Sequence, residues 1–125
     1  MTARGWTGLG AVAALAAAGC GGGEGTASAR AAQECLQGAG YAAVQRPGSE
    51  LLHTTGEVDL SRGRFRAAVY FFDSEAAASR DAVSLGATLA RGGGGLAVQR
   101  RDVVVGYARR PSQADREAVE GCVTA

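Results

Sequence analysis

The 125-residue sequence contains no lysine, no asparagine and no isoleucine. Codons for these three residue types are rich in A and T, so their joint absence is typical of a GC-rich genome. Without lysine there is no Schiff-base nucleophile and no Gly-Lys-Ser/Thr phosphate loop. The sequence also has neither a Gly-x-Ser-x-Gly elbow nor a His-Glu-x-x-His motif. We therefore expect no catalytic residue, no cofactor and no metal, and favour a protein that is not an enzyme.

An excess of positive charge is missing as well. The chain has 13 basic residues, all of them arginine, against 12 acidic residues, and among the first 19 residues only Arg4 is charged. Domains that bind nucleic acid usually show a clear basic excess. We therefore expect no nucleic-acid partner.

The first twenty residues have the composition of a secretory signal peptide. Arg4 is followed by a run of small and apolar residues over 9–18 and then by a glycine and Cys20. A charged start, a short apolar core and a small-residue exit are the three parts of such a signal. Residues 17–20, Ala-Ala-Gly-Cys, resemble the lipobox of bacterial lipoproteins, a family that prefers Leu, Val or Ile where this chain has Ala17.

The lipobox resemblance implies a location. In that family the cysteine receives a diacylglyceryl group and becomes the first residue of the mature protein, so Cys20 would carry a lipid anchor at the extracytoplasmic face of the cell membrane. Two acyl chains give stable anchoring, whereas one gives only marginal binding. The open alternative is an ordinary cleaved signal peptide with Ala16 and Ala18 at the cleavage site. A transmembrane anchor is disfavoured because residues 9–19 fall short of the ~20 needed to span a bilayer.

The mature sequence is long enough for one domain and too short for two. We divide the chain into a signal peptide over residues 1–19, a glycine-rich flexible tether over 20–27 and a single domain over 28–125. This layout resembles small lipoproteins of actinobacterial-type, GC-rich bacteria. The resemblance implies a location and no activity.

Two cysteines remain once Cys20 is lipidated, namely Cys35 and Cys122. An even number of cysteines in an exported protein indicates a disulfide, and two unpaired buried thiols are the alternative. Cys35 and Cys122 both fall on the apolar stripes of predicted helices, which points both side chains inward. The sequence therefore predicts that the first and last helices of the domain pack together and are joined by a disulfide.

The remaining pattern predicts an α+β fold. The predicted elements are a helix over 28–37, strands over 41–45, 53–60 and 64–72, a helix over 74–91, a hairpin of strands over 96–100 and 103–108, and a helix that starts at Pro111-Ser112. Strands joined by short turns favour an antiparallel sheet, here of about four to five strands, with helices packed on one face. The strand–helix–strand–strand portion resembles part of a ferredoxin-like fold.

Two groups of polar residues are candidate sites. His53 could bind a metal together with Glu57 and Asp59 on one strand face, but no ligand spacing supports this, and we favour a solvent-exposed histidine on an edge strand. Arginines near the strongest strand and the hairpin could form an anion-binding patch for phosphate, carboxylate or lipid head groups. The arginines selected are Arg62, Arg64, Arg66, Arg100 and Arg109. The alternative is a solvated polar rim balanced by the acidic residues.

These patterns predict a lipid-anchored extracytoplasmic domain that binds a ligand or partner. The anchor at Cys20 makes the membrane one partner, and the others would be an envelope protein or an anionic ligand. A structural or accessory subunit of a cell-envelope complex is the alternative, and a small enzyme is less favoured. The sequence identifies neither the ligand nor the biological process.

Overall fold

The computed structural model describes residues 24–124, with side chains from 28 to 123. The expected signal peptide, the expected lipidation site at Cys20 and the first four residues of the expected tether lie outside the described residues. Within the described part the chain forms three helices and five strands. In chain order they are α1 (Glu24–Gly38), β1 (Ala42–Pro47), β2 (Thr54–Arg62), β3 (Phe65–Phe72), α2 (Glu75–Gly93), β4 (Leu96–Arg100), β5 (Val103–Tyr107) and α3 (Gln113–Thr124).

Local signals explain where the helices begin and end. The hydroxyl of Ser74 accepts a hydrogen bond from the backbone N–H of Ala77, and Gly94 ends α2 in the left-handed conformation that glycine adopts most easily. Ser112 caps α3 in the same way, because its Oγ accepts from the backbone N–H of Asp115 at 3.1 Å. Helix α1 begins at Glu24, so the last four residues of the expected tether are helical.

The five strands form one antiparallel sheet in the order β1-β2-β3-β5-β4. Strands β3 and β4 run in the same direction, with β5 inserted between them, and α2 connects them. This is the split β-α-β unit of ferredoxin-like folds. The predicted α+β class and the antiparallel sheet are confirmed.

The helices cover both faces of the sheet, whereas we expected them on one. Val103, Val105 and Tyr107 of β5 face α1 and α3, while Val104 and Gly106 of the same strand face α2. Every residue of β5 is buried. A strand that is apolar on both sides requires cover on both sides, and α2 supplies the second layer.

The disulfide between Cys35 and Cys122 is confirmed, and it joins α1 to α3 with a Cα–Cα distance of 5.6 Å. Cys35 does not point into the core as predicted, whereas Cys122 packs against the edge of the core. Cys35 is exposed and Cys122 half-buried, while Ala32 and Leu36 take the buried positions of α1. Two helices that lie side by side on one sheet face can be bridged only along the seam between them, not from their sheet-facing stripes.

The domain has two distinct ends, because α1 runs along β2 in the same direction. Ala29 lies against Gly56 near the start of β2, with only 3.3 Å between the Ala29 Cβ and the position of a Cβ built on Gly56. Tyr41, just after α1, lies 4.4 Å from the guanidinium of Arg62 at the end of β2. We call the end where α1 begins the proximal end and the opposite one the distal end.

Candidate functional site

Four arginines meet at the distal end of the domain. Arg64 lies in the β2–β3 turn, where Gly63 has a positive φ of 60°, and Arg66 is the second residue of β3. Arg109 and Arg110 lie in the loop between β5 and α3. The backbone N–H of Ala108 donates to the carbonyl of Arg66 at 3.1 Å, which holds this loop against β3.

These arginines line one cavity of about 610 Å³, which we call the arginine cavity. Its other lining residues are Phe65, Ala108, Pro111, Ser112 and Asp115. The cavity thus combines four guanidinium groups with an apolar surface formed by an aromatic ring and a proline. Its volume falls in the range of sites for small-molecule ligands.

Most of the positive charge in this cavity is uncompensated. Among the side chains from 28 to 123, those of Arg64, Arg109 and Arg110 make no hydrogen bond and no ion pair. Arg66 Nη1 donates to two backbone carbonyls, those of Gly63 at 2.7 Å and Phe65 at 2.9 Å. Arg66 is therefore held in place without its charge being neutralised.

The one carboxylate that lines the cavity, Asp115, is already engaged. It accepts hydrogen bonds from Arg62 Nη2 at 2.8 Å, from Ser112 Oγ at 3.1 Å and from the hydroxyl of Tyr41. Burial, followed by the hydrogen bond to Asp115, raises the pKa of Tyr41 to about 12. Asp115 consequently neutralises Arg62 rather than the four arginines of the cavity.

The five arginines selected from the sequence thus separate into two groups. Arg64, Arg66 and Arg109 line the cavity, and Arg110 joins them. Arg62 is adjacent but paired with Asp115. Arg100 lies near the proximal end of β4, and its Nη2 is 2.7 Å from Oε1 of the buried Glu120.

Glu120 is the centre of a buried polar network behind the cavity. Arg116 Nε donates to it at 2.8 Å and the Tyr107 hydroxyl at 2.9 Å, in addition to Arg100. Burial, followed by the hydrogen bond to Glu120, raises the pKa of Tyr107. A buried carboxylate with three donors is well compensated, so this network stabilises α3 against the sheet.

His53, Glu57 and Asp59 do not form the shared group that the metal interpretation required. His53 lies in the loop before β2, and its Nδ1 is 3.4 Å from Oδ2 of Asp73. Within residues 24–124 no group of three or more His, Cys, Asp or Glu side chains could hold a metal ion.

Glu57 and Asp59 do share a strand face, as the sequence predicts, but they bond to each other rather than to a metal. Their side chains share a hydrogen bond, and Asp59 also forms an ion pair with Arg46 on β1. Burial and the bond to Asp59 raise the pKa of Glu57 to about 7. The pKa of Asp59 is lowered, first by the bond from Glu57 and then by Arg46. Two acids spaced i, i+2 on a strand share a face, but the spacing alone did not indicate that they would hydrogen-bond to each other.

A larger cavity of about 1070 Å³ runs between α1, α3 and the proximal ends of the strands. Both disulfide cysteines line it, together with apolar residues of α1 and of the sheet. Its charged lining residues are Asp73, Arg100, Arg101 and Asp102. Because the charges of this groove are mixed, it favours no ligand of one sign, in contrast to the arginine cavity.

Comparison with protein-family models, with curated proteins and with solved structures finds no match for this chain. Across residues 24–124, no helix is both long enough and apolar enough to cross a membrane. The functional interpretation therefore depends on the geometry of the sites described above.

Proposed function

We propose that the protein is a lipid-anchored extracytoplasmic domain that binds an anionic ligand in the arginine cavity. The observation that carries the proposal is the convergence of Arg64, Arg66, Arg109 and Arg110 on one cavity, three of them without a partner among the described side chains. Guanidinium groups match phosphate and carboxylate oxygens in pairs of parallel hydrogen bonds. In a chain whose arginines and acids nearly balance, this local excess favours a bound anion.

Asp115 supports the same interpretation. The guanidinium groups of the four arginines repel one another unless salt bridges or a ligand compensate their charge. The only carboxylate that lines the cavity, Asp115, already accepts hydrogen bonds from Arg62, Ser112 and Tyr41. An external anion would supply the missing charge. Phe65 and Pro111 at the same cavity suit a ligand whose charged group is attached to a larger body.

The anion site is tested by titrating the purified full chain with inorganic phosphate and, separately, with a dicarboxylate, by calorimetry at low salt. The variant Arg64→Ala/Arg109→Ala should bind at least tenfold more weakly, because charge-assisted hydrogen bonds contribute about 1.5–3 kcal/mol each and tenfold corresponds to about 1.4 kcal/mol.

The matched control is Arg30→Ala/Arg80→Ala, which removes the same charge from exposed positions on α1 and α2. It should keep its affinity within about twofold, since screening weakens charges far from the site. Equal losses in the two double variants would refute a defined site and leave only non-specific attraction. Thermal unfolding of each variant checks that the fold is intact.

The anchor is tested by the intact mass of the protein extracted from its native membrane. A chain that begins at Cys20 and carries a diacylglyceryl group is expected, with the two hydrogen atoms lost on forming the disulfide. A mass without lipid, or one that includes residues 1–19, would contradict the anchor while leaving the anion site to its own test.

A further inference from the structure

The loop between β1 and β2, residues 48–53, is a tightly closed turn at the proximal end. The backbone N–H of Thr54 donates to the carbonyl of Ser49 at 3.0 Å, and the N–H of Ser49 donates to Thr54 Oγ1 at 2.8 Å. Only glycine fits at position 48, because a Cβ there would lie 2.2 Å from the carbonyl oxygen of Thr54. The carbonyl of His53 accepts from the N–H of Asp73, which ties the loop to the end of β3.

This closed loop presents two leucines to the solvent. Leu51 is 87% exposed and Leu52 58% exposed. The backbone N–H of Leu52 donates to the carbonyl of Ser49 at 3.1 Å, so Leu52 is held within the turn rather than carried on a free segment. Burying a leucine is worth about 1.5–3 kcal/mol. A hydrogen-bonded loop that holds two adjacent leucines in the solvent is typical of a surface that binds an apolar partner.

The loop lies at the same end of the domain as the start of α1. Ser28 of α1 and Thr55 of β2 line one groove together with Asp73, and the loop immediately precedes β2. Cys20 is four residues before Glu24 in the sequence. Four residues span at most about 14 Å when the chain is fully extended. A lipid on Cys20 would therefore hold the proximal end close to the bilayer surface.

We infer that the loop over residues 48–53 docks on the bilayer by inserting Leu51 and Leu52 into its interfacial region. The inference rests on the proposed anchor at Cys20. The charges around the leucines are mostly acidic, with Glu50 in the loop, Asp73 beside it and Asp102 at the neighbouring β4–β5 turn, against the single arginine Arg101. Insertion is therefore driven by apolar burial and not by attraction to lipid charge, so it takes place on zwitterionic lipid, is weaker on anionic lipid and persists in high salt.

This orientation also restricts the source of the anion. Helix α1 has 15 residues, and at 1.5 Å per residue it separates the proximal and distal ends by roughly 22 Å. With Leu51 in the bilayer, the arginine cavity faces away from it. The ligand is then a phosphate or carboxylate that comes from outside the bilayer, not a head group of the anchoring membrane.

Because the only tryptophan in the sequence is Trp6, a mature chain has none, and a single introduced tryptophan reports its own surroundings. The lipidated mature chain, which begins at Cys20, is prepared with Leu51→Trp and reconstituted into phosphatidylcholine vesicles. Its emission should shift to the blue, brominated phosphatidylcholine should quench it, and acrylamide quenching should be at least threefold weaker than for the Val83→Trp control described below.

The control is Val83→Trp, at a position on α2 that is 76% exposed and lies away from the proximal end. It should remain accessible to acrylamide and unaffected by brominated lipid. Equal acrylamide access at the two positions would overturn the inference. Shielding of Leu51→Trp without quenching by brominated lipid would also overturn it, since a second copy or another protein would then cover the loop.

A second variant, Leu51→Ser/Leu52→Ser, keeps the turn and removes the apolar side chains. Lipidated protein of this kind should transfer to acceptor vesicles at least tenfold faster than the parent, and raised salt should not change the ratio. An unchanged rate would refute insertion. The intact mass is measured on the same samples, so a failed anchor appears as missing lipid and is distinguishable from a failed docking loop.

Discussion

At the scale of single residues, the Glu57–Asp59 pair is the most unusual feature of the sheet. The two side chains share one face of β2 and a hydrogen bond, so only one of them ionises easily, and Arg46 favours Asp59. Tyr70 lies directly opposite Glu57 on β3. Burial, followed by the charges of Glu57, Asp59 and Asp81, raises its pKa. Glu57 and Tyr70 therefore both hold their protons more tightly in the folded protein than in water.

The pair predicts a loss of stability between mildly acidic and neutral pH. Glu57 holds its proton more tightly in the folded state, so its stabilising contribution is complete below the ordinary pKa of 4.5 and is lost as the pH rises through about 7. Glu57→Gln keeps an N–H donor for Asp59 and removes the second charge. It should stabilise the protein at pH 8 by about 1 kcal/mol, a value reduced by the partial exposure of the pair.

Urea unfolding at pH 5 and pH 8 measures this effect, with Glu34→Gln at an exposed position of α1 as the control. Glu34→Gln should leave the free energy of unfolding unchanged at both pH values. A Glu57→Gln protein with the same pH dependence as the parent would contradict the shared proton.

At the scale of elements, the packing of α2 on the sheet depends on Gly106 in β5. A Cβ at this position would lie 3.0 Å from Leu85 Cδ2 and 3.3 Å from Leu89 Cδ1. A glycine inside a strand often marks such a close approach. The apolar stripe of α2 was predictable from its helical spacing, but the strand position against which it packs was not.

Gly106→Ala should therefore destabilise the domain by about 1 kcal/mol, because the side chains of Leu85 and Leu89 must move by a few tenths of an ångström to admit the added methyl group. Gly92→Ala is the control, since a Cβ there meets no atom within 4 Å. It should be neutral, or stabilising by about 0.5–1 kcal/mol, as alanine favours the helix. Chemical unfolding compares the two variants. Equal stabilities would show that α2 tolerates a larger spacing from β5.

At the scale of the whole molecule, the disulfide closes almost the entire domain, because its two cysteines are 87 positions apart along the chain. For loops near this length the chain-entropy model gives a stabilisation of about 4–5 kcal/mol. The variant Cys35→Ser/Cys122→Ser, which lacks the bridge, should have a free energy of unfolding about 3–5 kcal/mol lower than that of the parent.

Because Cys35 is exposed, a thiol reductant should produce the same loss in the parent without prior unfolding. Urea denaturation with and without reductant measures both. The double serine variant is the internal control, since reductant should leave it unchanged. A parent that resists reductant until it unfolds would show that the bridge is protected.

The two ends of the molecule differ, and this difference arises from chain direction. The start of α1, the loop over residues 48–53 and the end of α3 lie at the proximal end, while the β2–β3 turn and the β5–α3 loop lie at the distal end. Because neighbouring strands run in opposite directions, successive loops lie at opposite ends of the domain. The proposed anchor and the arginine cavity are thereby separated by the length of the domain.

Much of the fold was predictable because it follows from short-range chemistry. The cap formed by Ser112, the apolar stripe of α2 and the alternation along β3 each depend on residues a few positions apart, and they were recognised from spacing. The cysteine count was enough to predict the bridge. The division of the helices between the two faces was not predictable, because strand order decides which side of β5 each helix can reach.

By itself the sequence determined the elements, the disulfide and the balance of charge. Only the tertiary structure decided which arginines keep an uncompensated charge. Arg62 is paired with Asp115, 53 positions away, and Arg100 with Glu120, 20 positions away, while Arg64, Arg66 and Arg109 meet in one cavity. Pairing across such separations depends on strand order and on where a helix crosses the sheet. Local spacing carries no information about either.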